Sequence, residues 1–501
     1  MKPFRILLFI LSVFSVLILV SFVFPEDGVK LAGHNYEFFN ARKYFNAKWS
    51  KIKHVLEEIQ IEKDSVIVQD TVVVDSSLVV QTDTVERIVE EPKDTVDDGI
   101  EDIQLPNQSW SALRDIFDAL ETEAKEKVIR VLHYGDSQIE GDRITSDIRT
   151  QFHKEFGGTG PGLLPAFDND HYSISIRQSS SSNWKKYATG KAKPGHRKFG
   201  VMTYYSRFDP PGNIDSTILE GWIQYKRTNL TTGTVQNFRV CNIYYGDNQS
   251  TVTAELYNNG NLDKIETLMP EKQVKKISWD TKHNAEKLKI KFTGKDSPGI
   301  YGVTLDGTSG VAVDNIALRG SAGLEFTKAN LNFLARMYRM LNAKLLILQF
   351  GVNVVPNPRE DYTYYENYFY AQLSGIKRVY PDVSVIVISV SDMSRKENGD
   401  YVSYPNIEKI RNAQKNAAFR ANCAFWDLYT AMGGKNSMKE WVLTKPSYAR
   451  KDFTHFNDRG AEKVAGMFNA AFMKAYKLYQ KEKFKDLLIC SIRRAATEHG
   501  K

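Results

Sequence analysis

The apolar run Val128-Ile129-Arg130-Val131-Leu132 leads through His133 into Tyr134-Gly135-Asp136-Ser137-Gln138. A short hydrophobic run that closes on a glycine turn predicts a buried strand delivering its last residues to a sheet edge. A serine placed there shows its hydroxyl to a substrate, and its backbone N–H stays free for a developing negative charge. Gly-Asp-Ser alone better suits a surface turn. Two distant segments give it weight: Gly351-Val352-Asn353 and Asp452-Phe453-Thr454-His455, each after or near another apolar run.

Helix and strand patterns alternate around these segments. Helical spacing of Leu113, Ile116, Phe117 and Leu120 predicts a helix over 109–124, with Ser109 or Ser111 as its cap, and another helix follows over 143–156. Later come a helix over 325–341, a strand over 345–350, a helix over 362–380 and a strand over 383–390. A helix over 407–421, a short strand over 424–428 and a closing helix over 460–479 complete the series. Such alternation implies an α/β fold, a parallel sheet with helices on both faces.

Between 163 and 310 the character changes to short β-rich runs separated by turn signals. Runs such as Phe238–Tyr245, Thr251–Tyr257 and Gly299–Leu305 predict an antiparallel β-sandwich. One α/β domain, 105–162 and 311–480, is therefore expected to be interrupted by a β insert, 163–310, and followed by a basic tail, 481–501. Gly246-Asp247-Asn248 reads as a hairpin turn within the insert.

The N-terminus carries different information. Lys2 and Arg5 flank an apolar stretch from Ile6 to Phe24 interrupted only by Ser12, Ser15 and Ser21. About 20 such residues span a bilayer core, and the preceding positive charges favour a cytoplasmic N-terminus. Residues 4–24 are thus expected to be an uncleaved transmembrane anchor, since no small-residue cleavage site follows Ser21. Residues 25–104 then read as a juxtamembrane segment with helical, aromatic content and an acidic stalk. The remaining chain would then be exported, on the extracytoplasmic side of the membrane.

Charge is divided accordingly. Residues 51–104 hold 15 Asp and Glu against 5 Lys and Arg, while the other 62 basic and 45 acidic residues carry +17. A basic body suits an anionic glycan or envelope surface, but the positive residues are scattered, and nucleic acid is a poor match for an exported protein. Cys241, Cys423 and Cys490 are too widely spaced for a disulfide framework or a zinc site. No metal or cofactor is expected.

Ester cleavage at neutral pH needs an activated hydroxyl, a base and donors aimed at the tetrahedral oxyanion. Ser137 is the candidate nucleophile and His455 the candidate base, returning its proton to the leaving alcohol. Asp452, three residues before His455, is placed to orient the ring.

This set resembles the SGNH (GDSL-type) hydrolase superfamily, whose hallmarks are four separated blocks. Ser137 within Tyr134–Gln138 matches the nucleophile block, with Gly135 and Asp136 in support. Leu318-Arg319-Gly320-Ser321-Ala322-Gly323 is similar to the second block, which implies that the Gly323 N–H is an oxyanion donor; Gly320 is the alternative in another loop register. Gly351-Val352-Asn353 resembles the third block, implying that the Asn353 amide joins Ser137 and Gly323 in the oxyanion hole. Asp452 and His455 match the last block in order and spacing. Gln138, Leu318, Val354 and Phe456 depart from residues frequent at those places (Leu, Asn, Asp and Pro), and none removes a group the chemistry requires.

The resemblance implies a three-layer, flavodoxin-like α/β domain. The position of the insert is similar to that in peptidoglycan O-acetylesterases carrying a carbohydrate-binding-like module. Trp184, Trp222, Tyr244, Tyr245 and Tyr257 offer sugar-stacking faces, but aromatics in strands more often form core, and none is assigned as a ligand. The function expected is an exported serine esterase removing O-acetyl groups from a polysaccharide such as peptidoglycan. An O-acyltransferase using the same site and a non-catalytic, glycan-binding envelope scaffold are the alternatives.

Overall fold

A computed structural model describes residues 29–31, 34–36, 99–167, 173–189, 197–208, 218–228, 230, 233–281 and 285–498. The expected anchor over 4–24 and nearly all of the acidic stretch lie outside the described residues. Among those described, no helix is long and apolar enough to cross a membrane. The chain divides into two units, 1–94 and 95–501. In the first, Val29–Leu31 and His34–Tyr36 pair antiparallel where helical content was expected.

The second unit is built on a six-stranded sheet. Its order is Gly310–Ala317, Val128–Gly135, Ala343–Gln349, Ser384–Ile388, Ala424–Trp426 and Ile103–Gln104. The first five strands run parallel and the last is antiparallel. Alternation along each strand divides the core in two. Ile129, Val131, Leu345 and Ile347 face the helices Arg114–Glu121 and Thr145–Phe156 and the helix that begins at Asp458. Leu132, Leu346, Leu348 and Val387 face the helices Leu331–Leu341, Thr363–Val379 and Ile407–Arg420. These are the three layers of the expected α/β architecture.

The region after Phe156 forms two antiparallel sheets. One orders Lys275–Asp280, Val240–Gly246, Gly299–Asp306, Tyr204–Phe208 and Trp184–Ala188, with Gly162–Leu164 also paired to Gly299–Asp306. The other orders Asn261–Leu268, Val252–Asn258, Lys287–Gly294, Leu219–Arg227 and Ile176–Ser180. Cys241, Ile243 and Val303 of the first and Val252, Leu256 and Ile290 of the second meet in one core. Trp184, Tyr244 and Tyr245 are buried there or against the α/β body, whereas Trp222 and Tyr257 are half-buried.

Several boundaries move. Gly246-Asp247-Asn248 is not a hairpin turn: it carries the chain from one antiparallel sheet to the other, and Asn248 bridges Glu271. The expected helix over 325–341 begins only after Asn330, whose side chain caps the Phe333 N–H. The helix expected over 109–124 is broken, with Ser109 capping a short turn over Trp110–Ala112 ahead of Arg114–Glu121. Ile103–Gln104, expected in the stalk, pairs with Phe425 and Trp426, because the sheet edge there offers free backbone groups. No break separates the closing helix from the basic tail: Asp458–Glu498 is continuous, and Lys483 is bonded to Asp118 and Glu121.

Strand register is what prepares a site. Gly135 lies opposite Ala317 on one side and Gln349 on the other, so three strands end level. Leu318 N–H donates to the Gly135 carbonyl at 2.7 Å, and Asp136 N–H donates to the Gln349 carbonyl at 3.2 Å. A Cβ on Gly135 would stand 2.9 Å from the Ile139 side chain and 3.0 Å from the Gln349 oxygen, so a larger residue would have to push its neighbours aside at this crossing.

Beneath the strand ends lies a buried ionic junction. Arg130 donates to Asp314 at 2.7 Å and to Asp306 at 2.5 Å, and Asp314 also accepts from the Leu163 N–H. It ties the last residue of an antiparallel strand to two strands of the parallel sheet. Removing the guanidinium in Arg130→Met strands two carboxylates, so urea unfolding at neutral pH should show a loss of about 3–5 kcal/mol. Asp136, just beyond the sheet, is also buried; burial pushes its carboxyl up to about 7, against the pull of the Gln138, Val352 and Gly351 N–H groups. A raised carboxyl favours the protonated native state, so this contribution is whole below about pH 4 and fades as pH rises through about 7. Asp136→Asn should therefore gain stability over the natural protein between pH 4 and 8, read from unfolding midpoints; a constant difference would refute the assignment.

Candidate active site

The three level strand ends release three loops. The first, after Gly135, carries Ser137 and runs to the Thr145–Phe156 helix under visible strain. Asp142 has φ of 64° and Ile144 of 61°, the latter unusual for a β-branched residue. Thr145 N–H closes back on the Arg143 carbonyl at 2.6 Å. Such conformations cost about 1–3 kcal/mol each and persist only where their surroundings fix them.

Here the fixing groups are identifiable. Arg149 grips Asp142 through two bonds of 2.7 and 2.9 Å, all of it buried. Asn315 donates to the Ile139 carbonyl at 2.9 Å and to Thr145 Oγ1 at 2.7 Å. His133 completes the net, 2.9 Å from Thr145 Oγ1 and 3.1 Å from Gln349 Oε1. Burial, with the Arg149 charge nearby, brings the His133 imidazole down to about 3 despite the Gln349 bond, so it is neutral near pH 7. Arg143 donates to the Ser137 carbonyl at 2.7 Å.

His455 arrives on another loop, between the Ser437–Leu443 helix and the Asp458–Glu498 helix. Arg450 N–H donates to the His455 carbonyl at 2.8 Å, and Phe453 takes φ of 54° to make the turn. The Phe453 ring stacks on Tyr401 at 3.5 Å between centroids, and buried Phe456 packs against Trp441. Apolar anchors therefore stand on both sides of a half-exposed imidazole.

The sequence-predicted trio meets. Ser137 Oγ is 2.7 Å from His455 Nε2, and His455 Nδ1 is 2.9 Å from Asp452 Oδ2. Asp452 Oδ1 accepts from the backbone N–H groups of Thr454 and His455 at 3.0 and 2.9 Å. Burial alone would raise the Asp452 carboxyl, but these N–H groups and the His455 ring outweigh it and hold it below the ordinary range. An ionised carboxylate fixes the proton on Nδ1 and leaves Nε2 to accept from the serine hydroxyl.

The expected oxyanion donors are arranged less simply. Asn353 is exposed on the loop after Gln349, and its Nδ2 donates to the Ser321 carbonyl at 2.9 Å. Gly351 supports that loop at φ of 133°, where a Cβ would stand 2.7 Å from Val390. Gly323 is buried, and its N–H already donates to Ser321 Oγ at 2.8 Å. In this arrangement Gly323 is not an open donor. Ser321 in turn donates to Glu325, so its hydroxyl is held between a carboxylate and a backbone amide. Gly320, the alternative, sits exposed at φ of 77°.

Reading the sequence missed Gln138, Arg143, Ser321 and Glu325 as parts of this site. The first two adjoin the nucleophile and the others lie in or beside the second block, but nothing in the local pattern shows which distant groups they meet.

A cleft of about 310 Å³ opens beside the second block. Glu140, Arg319 and Ser321 line one side, and Lys186, Thr203 and Tyr204 of the antiparallel region line the other. Glu140 N–H bonds the Ser137 carbonyl at 3.4 Å, so the cleft adjoins the nucleophile loop. Its lining mixes both charges, hydroxyls and an aromatic ring.

No family model matches the sequence, and no curated protein matches it. Solved structures do. A peptidoglycan O-acetylesterase is similar at 19% identity and a TM-score of 0.58, over 73% of this chain and 97% of that one. An acetyl xylan esterase is similar at 17% identity and a TM-score of 0.26, over 32% of this chain and 81% of the other. A GDSL-like lipase from Parabacteroides merdae is similar at 16% identity and a TM-score of 0.24, over 33% and 72%. The first covers most of both chains, and with it the architecture has a place: this chain has an SGNH hydrolase-like fold.

Proposed function

We propose that the protein is a serine esterase that removes O-acyl groups, acetyl in particular, from a polysaccharide. The observation that carries this reading is the unbroken hydrogen-bond chain from Ser137 through His455 to Asp452. Ser137 Oγ attacks the ester carbonyl as His455 Nε2 takes its proton, and ionised Asp452 stabilises the imidazolium. The Ser137 N–H and the Asn353 amide receive the oxyanion, joined by the Gly323 N–H once the Ser321 hydroxyl turns away. Collapse of the tetrahedral species passes the His455 proton to the departing sugar alcohol. Water, deprotonated by the same imidazole, then releases the acid from the acyl-serine.

The cleft supports a sugar substrate over a long acyl chain. Its size suits one or two pyranose rings, and its lining offers hydroxyl partners more than a continuous apolar wall. The fold likeness to a peptidoglycan O-acetylesterase makes peptidoglycan the first glycan to test, and the antiparallel insert is proposed as a carbohydrate-binding wall. Within this proposal residues 4–24 anchor the protein in the inner membrane and the acidic stretch spaces its body outward, into the periplasm.

Ser137→Ala should reduce hydrolysis of a chromogenic acetate ester by about a thousandfold or more, and Asp452→Asn by about a hundredfold or more. Full activity in Ser137→Ala overturns the reading. With O-acetylated peptidoglycan, acetate released into solution should match the loss of bound ester; transfer to a second sugar would instead mark an acyltransferase. Thr189→Trp, projecting into the cleft from the insert side, should raise KM on the polymer about tenfold and alter turnover of the small ester far less. Equal effects on both substrates would remove the cleft from the substrate path.

A further inference from the structure

Gln138 follows the nucleophile, and the superfamily resemblance offers no role for it, since leucine is frequent there. Its side chain is nonetheless buried, at 2% exposure, and every arm of its amide is engaged. Nε2 donates to the Thr454 carbonyl at 2.7 Å and to Ser391 Oγ at 3.2 Å. Oε1 accepts from the Phe456 N–H at 3.2 Å. Thr454 and Phe456 are the two neighbours of His455, so one side chain bonds the main chain on both sides of the imidazole. The backbone N–H of Gln138 donates to Asp136 Oδ1 at 3.0 Å, which fixes the same residue to the nucleophile turn.

We infer that Gln138 is a positioning residue that sets the register between the Ser137 hydroxyl and the His455 imidazole. The inference rests on the serine-esterase reading. Ser137 and His455 lie 318 residues apart and come from loops on different elements, so their 2.7 Å separation needs a local gauge. The amide supplies one: an acceptor for Phe456, a donor for Thr454, and a third arm to Ser391 that stops the amide rotating. Leucine would fill the same volume and leave both backbone groups without that partner. A shift of about 1 Å between reacting groups is enough to cost about a hundredfold in rate.

Two variants test this. Gln138→Leu should lower kcat on a chromogenic acetate about 30- to 100-fold with KM changed less than about threefold. Reaction of Ser137 with a fluorophosphonate probe should slow in parallel, because that step draws on the same imidazole. Gln138→Glu separates positioning from general damage. A protonated carboxyl can still donate to Thr454 and accept from Phe456; a carboxylate cannot donate. Its pH–rate profile should therefore keep near-natural activity on the acid side and gain a descending limb at higher pH that the natural protein lacks. Asp136, Arg143, Asp452 and His455 are present in both proteins, so a limb found only in the variant traces to the introduced carboxyl, directly or through its coupling to Asp136. Natural kcat in Gln138→Leu overturns the inference, and so does a Gln138→Glu loss that is uniform with pH. If the leucine variant does not fold, the glutamate profile alone decides. Activity in Ser137→Ala would defeat the esterase reading itself; an inactive Ser137→Ala beside a fully active Gln138→Leu would defeat only the role of Gln138.

Discussion

Three parallel strands end at one level, and the placement of the site follows from that. Gly135 has Ala317 and Gln349 as its register partners, so the chain leaves the sheet three times within one patch of surface. A shift of one residue in either pairing would carry a loop about 3.3 Å along the strand and turn its side chains to the other face. Register is secured from below by apolar alternation into two distinct cores, and by Arg130 bridging Asp306 and Asp314. At the level itself the fit is close, because a Cβ at Gly135 would crowd the Ile139 side chain and the Gln349 carbonyl.

Above the sheet the loops are short, and polar groups hold what hydrophobic packing cannot. The nucleophile loop spends conformational energy at Asp142 and Ile144, and Arg149, Asn315 and neutral His133 recover it through bonds that are all buried. In a low-dielectric setting such bonds are strong, and leaving one unmade is costly, so the net tolerates few alternative geometries. The histidine loop is fixed differently, by Phe453 on Tyr401 and Phe456 on Trp441. Two independently braced loops can keep a 2.7 Å contact only if something relates them, and the Gln138 amide spans the gap.

Much of this was legible in the sequence where chemistry and local pattern coincide. Short apolar runs between helical patterns gave four of the five parallel strands, and Ser137, Asp452 and His455 lie on loops that do converge. Less legible were elements whose pattern is weak. Asn261–Leu268 is an exposed edge strand with little alternation, and Gly310–Ala317 follows directly on the β-rich insert with Asp314 and Asn315 interrupting its apolar run. The bracing residues were invisible for another reason: Gln138, Asn315 and Ser321 act through partners that only tertiary structure supplies. Gly323 shows the converse. Its place in a loop was readable, but the Ser321 hydroxyl bound to its N–H was not.

That last contact satisfies a donor that burial would otherwise strand. A buried backbone N–H left without an acceptor is expensive. Ser321 removes the cost by accepting from Gly323 while donating to Glu325. A hydroxyl is the group best suited to this, because rotation about one bond exchanges its acceptor face for another without moving the backbone. Asn353 is treated alike: one amide hydrogen is held by the Ser321 carbonyl, and the other stays available on an exposed side chain. The second and third blocks therefore meet at a single serine. The same residue that satisfies the Gly323 N–H through its hydroxyl holds the Asn353 amide through its carbonyl, so the two loops are braced against each other at one position.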